Sequence, residues 1–482
     1  MAIRGGWMRG LLAAGAGVGA LLLAGACSAQ TAAAIPNAPP AAYASLGRDM
    51  LKGLVEIDST HAHGSTGAAR YLAARFLAAG FPAADVQVLA PPDHPTKGNL
   101  VVRLHGTGAG APVMFLGHLD VVEAHRADWT YDPFAFTLVD GYAYGRGTED
   151  MKSGDAAMAA ALIRLRESGF KPSRDIIVAF TADEEAGGDA SGIDWLLKTH
   201  RPLIDAGLVI NPDGGEAALK DGRQLYLAIQ TSEKVFATFR LEAHDKGGHS
   251  SRPTPANPIY HMAAALDRLS HYSFPVDLTP TTEAYFKARA GLETGQVRAD
   301  MLEAATGHPS AAAVTRLSSQ LDTNIALRTT CTATVINGGQ GESALPEDVT
   351  ALVQCRVMPN KPIADVEARL KSVIDDPAIA MSTYTAPKLS PESPLSPQVT
   401  QTVSAVAHSI WPGLIILPEL SAGATDSAFT RAAGIPSYGV DGDFLSLDDS
   451  RAHGRDERVN LAAFDQDLEF TYRLMKALGS AN

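Results

Sequence analysis

Residues Asp175–Gly188 read DIIVAFTADEEAGG. An apolar run of strand length, Asp175–Ala182, leaves through three consecutive acids, Asp183, Glu184 and Glu185, and then loosens into glycines. So short and apolar a run suits a strand buried on both faces. Upstream, Lys152–Glu167 has helical spacing; downstream, helix Gly192–Thr199 leads into another strand, Ala206–Asn211. Strands alternating with helices predict an α/β fold with a mostly parallel sheet covered on both faces. Three adjacent carboxylates at a strand end repel one another, so something must compensate their charge or use it.

The chain has 482 residues, a length that suggests about two or three domains. At 46% hydrophobic and 19% charged residues the composition is that of a globular protein with ample core. A net charge of -13 disfavours nucleic acid as a partner, because phosphate binding needs a basic face. Residues 1–26 read as an export signal: Arg4 and Arg9 precede LLAAGAGVGALLLAGA, which ends in small residues and falls short of the roughly 20 residues of a spanning helix. LLAGAC places Cys27 where a lipoprotein signal has its lipidated cysteine, with cleavage after Ala26 or Ala29 as the alternative. The expected location is therefore periplasmic or secreted, with or without a lipid anchor. Residues 27–44 read as a flexible tether. Cys331 and Cys355 remain, both in strand-like runs; neighbouring strands would let them pair, and two buried thiols are the alternative.

Further along, Gly67–Ala79 has helical periodicity, and NLVVRLHG and PVMFLGHLD are strands. Between them GTGAGAP, Gly106–Pro112, reads as a hairpin turn, because a dinucleotide-binding loop would open a helix. From about Glu233 the pattern changes. EKVFATFRLEAHDKGGHSS alternates like a half-exposed strand, Asn257–Leu269 is an amphipathic helix, TTCTATVINGG and VTALVQCRVMP alternate again, and helix Ile363–Asp375 follows. This predicts a smaller α+β domain, residues 233–387, inserted into a larger one formed by residues 45–232 and 388–482. The Pro/Ser-rich KLSPESPLSPQ marks the return, followed by helix Val399–Ser409, strand GLIILPE, helix Asp426–Ala433 and strand PSYGV.

Open α/β sheets bind ligands beyond the carboxyl ends of their strands. Here those ends carry His118 and Asp120, Glu184 and Glu185, and Asp213; Asp150 opens a helix and His453 follows the last strand. Any one alone reads as a helix cap or a solvated charge. Together they form a cluster whose repulsion calls for cations. Imidazole mixed with carboxylate suits zinc, and two ions sharing a carboxylate clamp a water and polarise a carbonyl. One of two adjacent glutamates then ligates while its neighbour takes the water's proton.

GHLDVV, GRGTEDMKSG, TADEEAGG, NPDGG, TSEKVFATFRLEAHDKGGHSSRP, RVMP, SAGATDSAF and AHGRDERV, in that order along the mature chain, resemble the di-zinc metallopeptidases that include carboxypeptidase G, aminoacylase, acetylornithine deacetylase and, nearest in feel, carboxypeptidase S. The resemblance implies two Zn(2+) per chain, with cobalt or manganese as substitutes. His118, Asp150 and Asp213 would hold one ion; Asp150, Glu185 and His453 would hold the other. Asp120 would orient His118, and Glu184 would be general base and then acid. His249 would reach a partner's site in a homodimer formed through the inserted lid domain and stabilise the oxyanion. Arg356 would grip a substrate carboxylate, with Gly423 lending backbone contacts. Ala428 departs from the arginine of aminoacylase-like members and tilts the expectation to carboxypeptidase chemistry. Ser343 stands where asparagine is usual, and a helical-looking segment, Thr279–Arg328, is long enough that it could reshape the pocket.

These readings imply an exported di-zinc amidohydrolase releasing a C-terminal amino acid from a peptide or N-acyl amino acid. A dipeptidase or an acylase indifferent to a free C-terminus is the alternative. A binding protein that has lost catalysis ranks lower, because every expected ligand and the base are present. A serine hydrolase is disfavoured because no G-x-S-x-G elbow occurs.

Overall fold

A computed structural model describes residues 37–186 and 190–480. The signal segment, Cys27 and most of the tether lie outside the described residues. Helix Ala41–Val55 begins inside the stretch read as tether, so ordered chain starts earlier than residue 45. Its buried face, Met50, Leu51, Leu54 and Val55, supplies the apolar contact that draws it onto the protein.

The frame is a ten-stranded sheet. Its strands run in the order Val86–Leu89, Asn99–Leu104, Ile176–Thr181, Val113–His118, Leu208–Asn211, Ser437–Gly439, Arg223–Glu233, Ala217–Lys220 and Phe444–Ser446, with Ile415–Ser421 alongside Arg223–Glu233. Ile176–Thr181, Val113–His118, Leu208–Asn211 and Ser437–Gly439 pair in parallel. Alternate residues of these buried strands enter opposite cores. Phe115, Val178 and Phe180 face the helices Ala41–Val55, Thr66–Ala78, Lys152–Glu167 and Leu461–Ser480. Met114, Leu116, Ile177 and Ala179 face Ile193 and Leu196 of helix Gly192–Thr199. Helix Lys152–Glu167 is stopped by Gly169, whose φ of 70° is left-handed. Gly169 N–H donates to Arg166 O and Phe170 N–H to Leu165 O, which closes the helix end and turns Phe170 back onto the core.

The hairpin expected at Gly106–Pro112 does not form. Strand Ile176–Thr181 lies between Asn99–Leu104 and Val113–His118, antiparallel to the first and parallel to the second. A strand buried on both faces belongs at the sheet's centre, so its neighbours in sequence are forced apart. The strands Ala217–Lys220 and Arg223–Glu233 were not expected from the pattern; they form a hairpin through Asp221 and Gly222, both at positive φ.

A second, four-stranded antiparallel sheet runs in the order Thr330–Gly338, Asp348–Val357, Val235–His244 and Ile379–Thr385. Helices Pro258–Ser270 and Ile363–Ile374 cover it, and Phe239, Leu241, Met262, Val353 and Leu370 form its own core. Cys331 and Cys355 are direct partners in this sheet and are joined by a disulfide, with Cα atoms 4.0 Å apart. The segment Thr279–Arg328 is helical as expected: Pro280–Arg289, Gly295–Ala304, Ala311–Ser318 and Leu321–Leu327. It packs Tyr285, Ala288 and Leu292 onto Tyr226 and Leu417 of the large sheet.

Candidate metal centre and substrate cavity

The parallel strands deliver their ends to one edge. His118 ends its strand, Glu184 and Glu185 follow Thr181, and Asp213 follows Asn211. Asp150 stands just before helix Lys152–Glu167, after a turn held by the carboxylate of Glu457, which accepts from the amides of Gly147 at 3.0 Å, Glu149 at 2.7 Å and Asp150 at 3.0 Å. Arg146 neutralises Glu457 in a pair that is fully buried.

One oxygen of Asp150 lies 3.1 Å from His118 Nε2, and the other lies 2.9 Å from His453 Nε2. His118 Nε2 is also 3.8 Å from Asp213 Oδ1, while His453 Nε2 is 3.0 Å from Glu185. The five side chains expected to hold metal therefore meet, with Asp150 between two half-sites. His118, Asp150 and Glu185 offer ligand atoms all within 4.8 Å of one another. This donor set fits divalent cations. Each imidazole turns one nitrogen towards carboxylate oxygen, and the shared carboxylate faces both.

The electrostatics point the same way. Burial works against a charged His118, yet its hydrogen bond to Asp150 and the nearby Asp213 carboxylate hold it well above its ordinary value. His453 is pushed up to about 10 by its hydrogen bonds to Asp150 and then Glu185. Burial would raise Asp150, but the two histidines hold it below the usual carboxylate range. His118 and His453 are the two imidazoles that divalent ions would meet here, each drawn to carboxylate oxygen. Two divalent ions would neutralise the acids.

Asp120 behaves differently from expectation. His118 Nδ1 is 3.0 Å from the main-chain oxygen of Asp120 and 3.9 Å from its carboxylate. That carboxylate accepts instead from the amides of Glu184 and Glu185, both at 3.1 Å. Asp120 thus fixes the ring through its backbone and the acidic turn through its side chain. Asp183 is bound from the other side. It takes a positive φ of 62°, is paired with buried Lys97 and lies 2.8 Å from His61 Nδ1. Of the three acids, one is compensated by lysine and one by histidine. Glu184 is left, and burial and then the charge of Asp213 push its carboxyl well above its ordinary value.

Glu184 lines a cavity of about 600 Å³ that it shares with Glu185, His453, Lys234, Phe236, Arg356, Gly423, Ala428 and Phe429. Arg356 Nη1 donates to Ala422 O at 2.8 Å, and its guanidinium lies over the Phe236 ring. Ala428 is part of the wall, so its small side chain leaves room where an arginine would intrude. Asp426 also lines the cavity, pushed up to about 7 by burial. No residue of Thr279–Arg328 is in the wall; its helices sit on the large sheet, and Arg328 O accepts from Lys234 behind the wall. His249 is also outside the cavity. It is exposed on a short strand pairing with Ala344–Leu345, and its Nδ1 accepts from Ser251 Oγ at 2.8 Å.

Sequence reasoning missed Glu457, Lys97 and Lys234. Glu457 stands in the quoted AHGRDERV and Lys234 in TSEK, so both were visible. Nothing local showed that they would be buried.

The model of the Peptidase family M20/M25/M40 matches residues 114–477. The chain belongs to this family. It is 28% identical over 397 residues to an N-fatty-acyl-amino acid synthase/hydrolase of Danio rerio, covering 80% of this chain and 76% of that protein. It is 26% identical over 378 residues to a probable carboxypeptidase S-like protein of Dictyostelium discoideum, covering 76% and 71%. In fold it resembles an M20 family metallo-carboxypeptidase of Sulfolobus solfataricus, with a TM-score of 0.66 at 18% identity over 90% of this chain and 99% of that one. A Bacillus subtilis neighbour described as a dinuclear metal binding peptidase gives a TM-score of 0.57 at 12% identity, covering 91% and 98%. The M20 chain is thus a metallopeptidase or amidohydrolase.

Proposed function

We propose that this M20 enzyme hydrolyses the amide bond of an N-acyl amino acid or peptide and releases the C-terminal amino acid. The observation that carries this is the combination of one cavity with two ends. Glu185 and His453, which meets the Asp150 carboxylate shared with His118, line the metal end, and Arg356 lines the same cavity with no carboxylate partner among the described residues. Between them the walls are apolar at Phe236, Ala428 and Phe429, which suits an acyl or apolar side chain.

His118, Asp150 and Asp213 would hold one zinc, and Asp150, Glu185 and His453 the other. Such a pair supplies a polarised carbonyl and an activated water. Glu184 takes the proton from the attacking water and returns it to the leaving nitrogen; burial suits it to that exchange because its carboxyl holds a proton more readily than a solvated one. Arg356 offers two parallel donors to the substrate carboxylate. Water is excluded as the acyl group fills the apolar wall.

Residues 233–387 would act as a lid carrying Arg356 over the centre, and as the surface through which two chains pair. The exposure of His249 supports its service to a neighbour's site. Export is supported by the basic and apolar N-terminal sequence, and the Cys331–Cys355 disulfide suits an oxidising compartment. Lipidation of Cys27 belongs to the same proposal.

The N-acyl amino acid is favoured over the dipeptide by the apolar wall and by the name of the Danio rerio relative. Zinc-loaded protein assayed against N-acyl amino acids, dipeptides and their C-terminal amides tests this. Hydrolysis of the free acids, abolished by a chelator and restored by zinc, is expected. Equal turnover of acids and amides would place the enzyme with acylases indifferent to the carboxylate.

A further inference from the structure

Most charged groups around the cavity have partners. Glu233 is paired with Arg431 at 3.0 Å and accepts from Thr425 Oγ1 at 2.7 Å. Asp183 is held by Lys97. The cations Lys234, Arg328 and Arg356 differ: none has a carboxylate within ion-pair distance among the described residues. Lys234 is only 1% exposed, and its ammonium donates to Arg328 O at 2.6 Å. Arg328 donates to Phe274 O and Ser318 Oγ, and Arg356 to Ala422 O. Burying cations without an anion is costly, and an arrangement that sets Lys234 and Arg356 in the wall of one cavity, with Arg328 behind Lys234, is complete only when an anion enters.

We infer that Lys234 is the second cation of the carboxylate subsite, closing with Arg356 on the free carboxylate of the substrate and making that carboxylate a requirement. This rests on reading the chain as a hydrolase of N-acyl amino acids or peptides. The chemistry divides naturally. Arg356 presents a planar fork to both carboxylate oxygens, while an ammonium is a point charge with three donors. Lys234 uses one donor on Arg328 O and lines the cavity, so further donors serve a ligand without loss of that bond.

Burial, then Arg356 and Arg328, push the Lys234 ammonium down to about 7. The remaining charged groups nearby are the Glu233–Arg431 pair and, in the cavity wall, Glu184, Glu185, Asp426, Lys388 and His453. Near and above neutral pH the Lys234 amine of the free site is therefore partly neutral. An entering carboxylate favours the charged amine, so binding takes up a proton.

The test uses zinc-loaded enzyme, N-octanoyl-leucine and N-octanoyl-leucinamide, and the variants Lys234→Met and Lys234→Arg, with metal content measured throughout. Lys234→Met is expected to raise KM for the acid about ten- to a hundredfold, as loss of a charged hydrogen bond does. It should leave the amide, read as substrate or as competitive inhibitor, nearly unchanged. Lys234→Arg should keep a low KM that no longer weakens as pH rises through 7 to 8. Equal changes for acid and amide, or no change for either, would overturn the inference. Should Lys234→Met not fold, calorimetry of the wild type at pH 8 decides. N-octanoyl-leucine phosphinate binding in buffers of different ionisation enthalpy must show proton uptake that Lys234→Arg lacks, and equal uptake in both overturns the inference. If the wild type cleaves neither free acids nor peptides, the hydrolase reading itself fails, an outcome distinct from a wild type that cleaves acids with no help from Lys234.

Discussion

Lys97 and Asp183 form a buried ion pair at the base of the acidic turn that carries Glu184 and Glu185. Asp183 adopts a left-handed backbone there, which asparagine also tolerates. Asp183→Asn should therefore preserve the turn's shape but strand a buried lysine, costing about 3 kcal/mol. Denaturant melts of Asp183→Asn, Lys97→Met and the double variant check this. The double variant should be less destabilised than the sum of the two singles, and strict additivity would mean the pair does not act as a unit.

Asp150 joins the two half-sites, so Asp150→Asn should bind far less than the two zinc-type ions expected per wild-type chain. Asp213→Asn should impair one half-site and spare part of the second ion. Elemental analysis after equilibration with limiting zinc reads both. Chelation of the wild type should abolish activity reversibly, and activity surviving in metal-free protein would remove the basis of the mechanism.

Glu184 and Glu185 are adjacent but meet different partners. Glu184→Gln should keep metal and fold while lowering kcat by about 10²–10⁴-fold. Glu185→Gln should lose the negative charge that faces His453 and weaken metal binding. Identical behaviour of the two variants in metal content and kcat would contradict this division.

Cys331 and Cys355 should give no free thiol when the unreduced, denatured mature chain is titrated. Replacing both by alanine should lower stability by about 3 kcal/mol, since the bridge restrains the unfolded chain. Two titratable thiols in freshly purified protein would show the bridge absent.

His249 faces solvent, away from the cavity of its own chain. Mixed His249→Ala and Glu184→Gln chains, each inactive alone, should recover part of the activity if the histidine serves a partner. Proven subunit exchange without recovery would confine His249 to its own chain or to no catalytic role.

The sequence by itself determined the α/β alternation, the two sheets and the set of metal-type side chains. Burial periodicity is local, as in Ile176–Thr181, and ligand residues follow directly from strand ends, as His118 follows its strand. Neighbour order in the sheet was beyond it: the insertion of Ile176–Thr181 between Asn99–Leu104 and Val113–His118 depends on which strands bury both faces together. Tertiary structure alone decided that the Asp120 carboxylate binds the turn while its main-chain oxygen meets the ring, and that Glu457, distant in sequence, cages the turn before Asp150. It alone buried Lys234 with no carboxylate within ion-pair distance among the described residues. Charge type is written in each residue, but whether a charge is solvated, paired or kept waiting is set by groups that only folding brings within reach.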